Sequence, residues 1–383
     1  MRNRILLTNL PTNVIAHILA RLPAKTIAAC KSVCKPWLDL IASPYFISLH
    51  FSLSRPALIV HHYEMFGSRF KLLDFHHSHG LWQKTTAKLD FSGLSPLPDA
   101  NIVIDGSVNG FLLLRDINYK HEALYVCNPL TREFFGLPRP AGPLRYPMAV
   151  THGFGVSILT GKYKVVRIMH DRELNPEDGT CVRVPSSSCQ VYKFQARAWK
   201  TVSGPPARFV YDSRLVGIFL RGNIHWLVHD LEGFELISSF DLESECFVSF
   251  PGPFPGCRRI LGSLEVLRGC LALCDNTDCE NINIWVMREY GVEKSWSKEI
   301  VINKMQDLAG LSFRLVFALK MFDDGSVLIV WGDFFMLCYC GRSKSVEGVD
   351  LDRPRGPNHI EAIHHVPCFL SLKSFVPENV RVY

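Results

Sequence analysis

Beyond Ala57 the chain never settles into a helical period. Its apolar residues come instead in short runs rich in Val, Ile, Leu, Phe and Trp: "GFLLLRD", "LYVCN", "YKVVRIM", "CQVYKF", "NIHWLVH", "ISSFDL", "CLALCD", "INIWVM" and "SVLIVWG". Gly, Asn, Asp and Pro cut between them, with turn signals at Asn109-Gly110, Gly161-Lys162, Gly222-Asn223 and Asp324-Gly325. Short apolar runs bounded by such residues read as strands joined by tight turns. The larger part of the chain is therefore restricted to an all-β fold.

The runs also recur. The turn glycines Gly110, Gly222, Gly269 and Gly325 are separated by 112, 47 and 56 residues, and the longest interval leaves room for a further unit around "GFGVSILTGKYKVVRI". Spacings of this size, with several strands in each, fit four-stranded propeller blades, an arrangement that also disposes of strand edges. A pair of β-sandwiches is the alternative. The stretch "GTCVRVPSSSC", Gly179 to Cys189, reads as a flexible surface loop.

Up to about Leu53 the period is helical. Thr12 or Asn13 can cap a helix whose stripe is Val14, Ile15, Ile18, Leu19 and Leu22, with Pro23 as its stop. A second short helix is expected over Lys25 to Cys30. A third opens at Pro36, carries Trp37, Leu40 and Ile41, and ends at Ser43-Pro44. Three short helices bury little surface among themselves, so the module needs a partner or a neighbouring domain. From Leu10 to Trp37 the stretch holds four cations and no acid, the look of a mitochondrial presequence, which would be cleaved away.

Charge separates the two regions. The chain carries +6, but its first 50 residues hold six cations against Asp39 alone, which leaves the remainder at +1. No polybasic run tracks a phosphate backbone, so nucleic acid is not the expected partner. Thirteen cysteines without framework spacing read as reduced, buried thiols of an intracellular protein. The longest apolar run, "SVLIVWGDFFMLCYC", is interrupted at Gly332-Asp333, and no membrane span is expected.

The stretch "LTNLPTNVIAHILARLPAKTIAACKSVCKPWLDLIASPYF" resembles an F-box in the order of Leu10-Pro11, the Ile15/Ile18/Leu19 stripe, Leu22-Pro23, and "SVCKPW". It departs where that family usually carries acids, with Thr12 or Asn13 after Leu-Pro and His17 before Ile-Leu. The presequence look follows from those substitutions. "NPLTREFFGLP", "GFGVSILTGKYKVVRI", "VYKFQARAWKTV", "GNIHWLV" and "ISSFDLESECFVSFPGP" resemble, in order, the F-box-associated domain of plant proteins, the match being strongest over 105–335. The resemblance implies a small all-α F-box of three helices, residues 5–50. It is followed by a large all-β domain, residues 55–383, that is β-propeller-like or kelch-like. It further implies a substrate receptor of a cullin-based ubiquitin ligase, cytoplasmic or nuclear. The F-box would dock a Skp-family adaptor, and through it cullin, by Leu10, Pro11, Ile15, Ile18, Leu19, Leu22, Val33, Cys34, Lys35 and Trp37. The β domain would hold a target protein. Trp37 is open to two roles, core of the small bundle or contact to the partner. The target-binding candidates are the segments Gly222 to His229 and Asp171 to Ser188.

No linear catalytic motif stands against this. "GVSILTGK" has five residues between Gly155 and Gly161 where a phosphate loop has four, and Tyr163 stands where the magnesium-binding hydroxyl belongs. Cys270 and Cys274 share strand spacing, and neither they nor Cys279, Cys338 and Cys340 show knuckle spacing for zinc. The groups His61/His62, His76/His77/His79 and His364/His365 read as solvated-loop or partly satisfied histidines rather than metal ligands. No cofactor and no metal are expected. The competing class is a propeller enzyme or small-ligand-binding protein with a degenerate F-box.

Overall fold

The computed structural model describes residues 10–64, 67–78, 81–91, 102–116, 123–140, 148–171, 173–174, 181–183, 187–205, 208–209, 216–229, 235–253, 261–304, 315–332, 335–351, 359–376 and 378–382. Four helices open the chain: α1 (Thr12–Leu19), α2 (Ala24–Cys30), α3 (Lys35–Ala42) and α4 (Pro44–Leu53). Three were expected. Ser43-Pro44 does end α3, but the same pair begins α4, because the Ser43 hydroxyl accepts the Phe46 N–H at 3.2 Å and Pro44 takes the first turn. The start of α1 also differs from expectation. Pro11, extended at φ −54° and ψ 142°, holds the N-cap position, with no side-chain cap from Thr12 or Asn13. Pro23 plays the same part for α2.

Every strand read from the sequence is present. Among the described residues, six sheets of four or five strands follow one another, built from nearly consecutive strands, with a two-stranded antiparallel pair besides. The first contains Ala57–Glu64, Gly67–Ser78 and Leu81–Leu89, and Ile360–His365 from the far end of the chain pairs with Ala57–Glu64. The second runs from Ile102–Val108 to Glu133–Gly136 and gains Arg381–Val382 at its edge. The others span Met148–Val156 to Ala198–Val202, Arg208–Phe209 to Cys246–Pro251, Gly262–Leu267 to Trp296–Asn303, and Val316–Met321 to Ser345–Gly348. Six separate meanders of this kind exclude the pair of β-sandwiches.

Two loop forms repeat. Asn109-Gly110, Arg221-Gly222 and Arg268-Gly269 each close a two-residue hairpin with both residues at positive φ, the geometry that matches the strand twist. The second of these turns is centred one residue earlier than the Gly222-Asn223 expected. Four-residue loops ending in Arg132, Arg197, Glu245 or Lys344, each at positive φ, join the last two strands of four of the sheets. The Gly179 to Cys189 stretch is not wholly loop, since Cys181–Arg183 pairs with Glu173–Leu174 and Ser187 begins a strand.

The chain divides into two compact units, residues 1–61, 66–137 and 363–383 in one, 62–65 and 138–362 in the other. Within the second unit, neighbouring sheets pack face to face. Val166, Ile168 and Val191 of the third sheet meet Ile224, Trp226 and Phe240 of the fourth. Leu227 and Ile237, facing the other way, meet Leu264 and Leu273 of the fifth. A strand buried on both faces has no polar side to show, which is why "NIHWLVH" reads as a nearly continuous apolar run. The glycines of "THGFGV" are spacing devices. A Cβ on Gly153 would lie 2.6 Å from Ile224 and 2.8 Å from Trp226, and one on Gly155 2.4 Å from Leu242. Gly155 therefore serves packing, and Gly161, at φ 64°, lies in the hairpin loop expected there.

In the first unit the helices share a core with the C-terminal segment. Ile15, Ala16, Leu19, Ile27, Ile41 and Phe46 pack together with Phe369 and Leu130. The Ser54 hydroxyl donates to the Pro367 carbonyl at 3.2 Å. Asn128 in turn donates to the Cys368 and Leu370 carbonyls at 2.8 and 2.7 Å, and Glu133 accepts from the Ser371 hydroxyl and the Leu372 N–H. The neighbour that the short helices need is thus supplied partly by residues 367–372. No helix among the described residues is long and apolar enough to cross a membrane.

Candidate functional site

The ten residues singled out in the helical module separate into three groups. Ile15 and Leu19, four apart on α1, face inward and are buried. Ile18 lies on the opposite side, 40% exposed, in line with Pro11 and with Val14 at 39%. The expected Ile15/Ile18/Leu19 stripe is therefore two stripes, because α1 is apolar at five of its eight positions and serves both a core and a surface. Val33, between α2 and α3, is 63% exposed, and Lys35 beside it is exposed. Leu10, Leu22, Cys34 and Trp37 are half-buried. Trp37 packs on the small core while its indole N–H lacks a protein acceptor, so its placement keeps both proposed roles. Leu38, 43% exposed, extends the outward apolar surface and was not singled out in the sequence.

A second surface lies on the third and fourth sheets. A cavity of about 330 Å³ is lined by Thr160, Lys162, Lys164, Lys193, Glu243 and Glu245 among others. Its floor poses an electrostatic problem. Lys164 and Lys193 are directly opposite each other across two paired strands, and like charges so placed repel. Glu245, from the four-residue loop of the next sheet, resolves it by accepting from Lys164 at 2.9 Å and Lys193 at 2.6 Å, with Lys200 at 4.0 Å. Burial raises the Glu245 carboxyl, but hydrogen bonds from Lys193 and Lys164 outweigh it and hold the group below its ordinary range. The Lys164 ammonium also donates to the Leu242 carbonyl. Ser157 donates to Glu243, and the Thr160 hydroxyl reaches both Ser157, at 2.9 Å, and Glu243, at 3.3 Å. These bonds tie the Ser157–Lys162 hairpin to the Leu242–Glu245 loop.

Of the target-binding candidates, the start of Gly222 to His229 adjoins this surface through Ile158, which packs over Gly222. Ile224 to Val228 of that segment are buried strand residues. Most of Asp171 to Ser188 lies outside the described residues. The cavity itself was not read from the sequence. "GKYK" and "VYK" carry its lysines, but only the strand pairing shows that they are opposed.

Among the described residues no three His, Cys, Asp or Glu side chains are grouped as metal ligands. Cys274 is buried and its thiol is raised to about 12 by burial, whereas Cys270 is half-buried and Cys279 is exposed. His61 and His62 are buried, as is His365, whose Nδ1 lies 3.0 Å from the Ser107 hydroxyl. The side chains of His76 and His77, and residue His79, lie outside the described residues.

The described residues thus hold four short helices with exposed apolar side chains, followed along the chain by a run of four- and five-stranded antiparallel sheets. Residues 7–49 match the F-box domain, and residues 58–366 match the F-box associated beta propeller domain. The chain belongs to that family of F-box proteins. Two relatives from Arabidopsis thaliana are F-box protein At3g07870, 29% identical over 77% of this chain and 73% of its own length, and F-box protein At5g49610, 30% identical over 75% and 77%. F-box protein CPR1, from the same plant, is 27% identical over 80% of this chain and 76% of its own length.

Proposed function

We propose that the chain is the substrate-recognition subunit of a cullin-based ubiquitin ligase. The F-box binds a Skp-family adaptor, and the propeller domain holds the protein to be modified. The observation that carries this reading is the doubled face of α1. A module this small leaves Val14, Ile18 and Leu38 about two-fifths exposed and Val33 63% exposed, while its own core and Phe369 are satisfied without them. Exposed apolar side chains gathered on one small module mark an interface rather than a fold requirement.

On this reading Pro11, Ile18, Val33 and Lys35 meet the adaptor, with Leu10, Leu22, Cys34 and Trp37 at the margins. Ile15 and Leu19 act by holding α1 in place. An interface of standard size, roughly 1,600 Å² in total, is expected. The chain contributes proximity between target and transfer machinery, and the chemistry takes place on other subunits. The protein would act in the cytoplasm or nucleus.

Affinity purification of the full chain from plant cells tests the reading. Adaptor and cullin should co-purify, and Ile18→Asp combined with Val33→Asp should remove both while the circular dichroism of the chain is unchanged. Undiminished co-purification with the double variant would reject the assigned surface. Absence of adaptor and cullin from the unaltered chain would reject the function.

A further inference from the structure

The cavity between the Ser157–Lys162 hairpin, the Leu242–Glu245 loop and the strand end at Lys193 has a charge surplus that its own carboxylates do not consume. Glu245 is engaged by Lys164 and Lys193, and Glu243 is engaged by the hydroxyls of Ser157 and Thr160. Lys162, exposed and lining the same cavity, has no carboxylate partner among the described residues. Lys200, 4.0 Å from Glu245, adds a further cation at the rim. One anionic group can therefore enter without displacing an existing pair.

Immediately beside the cavity the hairpin carries Ile158 and Leu159, 65% and 83% exposed. They are not on a loose loop. Gly161 donates to the Ser157 carbonyl at 2.9 Å, Ser157 donates to the Lys162 carbonyl at 3.0 Å, and the Glu243 contacts fix the tip from the side. A leucine held outward at this exposure costs solvation and contributes nothing to the core.

We propose that this surface is the target-docking site and that it takes an extended acidic segment of the target protein. One Asp or Glu side chain of that segment enters the lysine cavity, and a neighbouring apolar side chain covers Leu159. The inference rests on the receptor function proposed above and adds its substrate class. Carboxylate suits the cavity better than a nucleic-acid backbone, because two glutamates already stand among the lysines and would repel a line of phosphates. Charge complementarity here sets selectivity and the rate of encounter, and the apolar contact adds affinity.

The test is selection of a displayed random-peptide library on the full-length chain, with the enriched peptides then measured by fluorescence anisotropy. Enriched peptides should carry an acidic residue close to an apolar one. Binding should weaken about tenfold for Lys162→Glu and for Leu159→Ser, and should weaken as salt is raised. Both substituted residues are exposed, so the fold is retained. Enrichment without an acid, binding that neither substitution alters, binding only of peptides phosphorylated at the acidic position, or no enrichment at all would overturn the proposal. Adaptor co-purification, run on the same preparations, separates the two readings. If the unaltered chain retains its adaptor and the peptide result fails, the docking site is wrong and the receptor function stands.

Discussion

The ammonium of Lys31, at the end of α2, lies 4.7 Å from the centre of the Phe369 ring, and His50 of α4 tilts against the same ring at 5.2 Å. An aromatic from the C-terminal segment is thus clasped by two helices of the F-box, in a core it shares with Ile15, Leu19 and Phe46. The F-box is fixed to the residues that follow the last strand of the first sheet. Phe369→Ala should therefore destabilise the module by about 3 kcal/mol through the cavity it leaves. Hydrogen exchange of amides in α1 to α4 should accelerate, while the sheets of the second unit keep their protection. Unchanged exchange in the helices would show that Phe369 bears no part of the module's stability.

The C-terminal segment also passes over the first I′-type turn, and this makes two chemically similar glycines unequal. Gly110 and Gly269 both sit at positive φ, 85° and 74°, but a Cβ on Gly110 would lie 2.4 Å from the Cys368 Cβ, whereas one on Gly269 meets open space. Gly269→Ala should cost only the backbone strain, about 1 kcal/mol. Gly110→Ala adds displacement of a backbone segment held by Asn128 and should cost several times as much. Denaturant midpoints of the two variants, compared with the unaltered chain, check the difference.

The two faces of α1 predict opposite consequences for neighbouring apolar residues. Leu19→Ala should lower stability by about 2 to 4 kcal/mol and weaken adaptor binding only as far as it unfolds the module. Ile18→Asp should leave the unfolding midpoint nearly unchanged and abolish adaptor binding. His17→Glu, at an exposed position one step from Ile18, should strengthen adaptor binding if the family's usual acid contributes there. Calorimetric titration with purified adaptor, beside thermal unfolding, distinguishes the three.

Much of this was legible before the structure, for identifiable reasons. The strands were visible because each is short, apolar and stopped by Gly, Asn or Pro, and the F-box was visible because its residues keep their order. What escaped depends on relations across the chain. α4 was hidden because Ser43-Pro44 signals both an end and a beginning. The split of Ile15 and Leu19 from Ile18 was hidden because a helix apolar on two sides gives one broad stripe in sequence. Lys164 and Lys193 stand in separate strands, and only strand register places them opposite each other, with Glu245 between. The Phe369 clasp joins residues more than three hundred positions apart, and no local pattern announces it.

His225 makes acid sensitivity a property of the second unit. Its imidazole is fully buried, with Nδ1 3.1 Å from the Ile218 carbonyl and Nε2 2.7 Å from the Tyr290 hydroxyl. Burial lowers its pKa from the ordinary 6.5 to about 4, against a smaller opposing effect of the Ile218 carbonyl. Between those values the unfolded chain binds a proton that the folded one refuses, so folding loses stability as pH falls. The contribution is fully present above pH 6.5. It is lost progressively as pH falls toward about 4, at up to about 1.4 kcal/mol per pH unit for this group. Tyr290→Phe removes the hydroxyl partner and should cost about 1 kcal/mol at neutral pH while leaving the acid slope in place. His225→Gln removes the titrating group, so its unfolding midpoint should lie lower at neutral pH but fall less steeply across the same window. Trp226, buried next to His225, provides a fluorescence signal for these transitions. A slope unaltered by His225→Gln would assign the acid sensitivity of this unit to other groups.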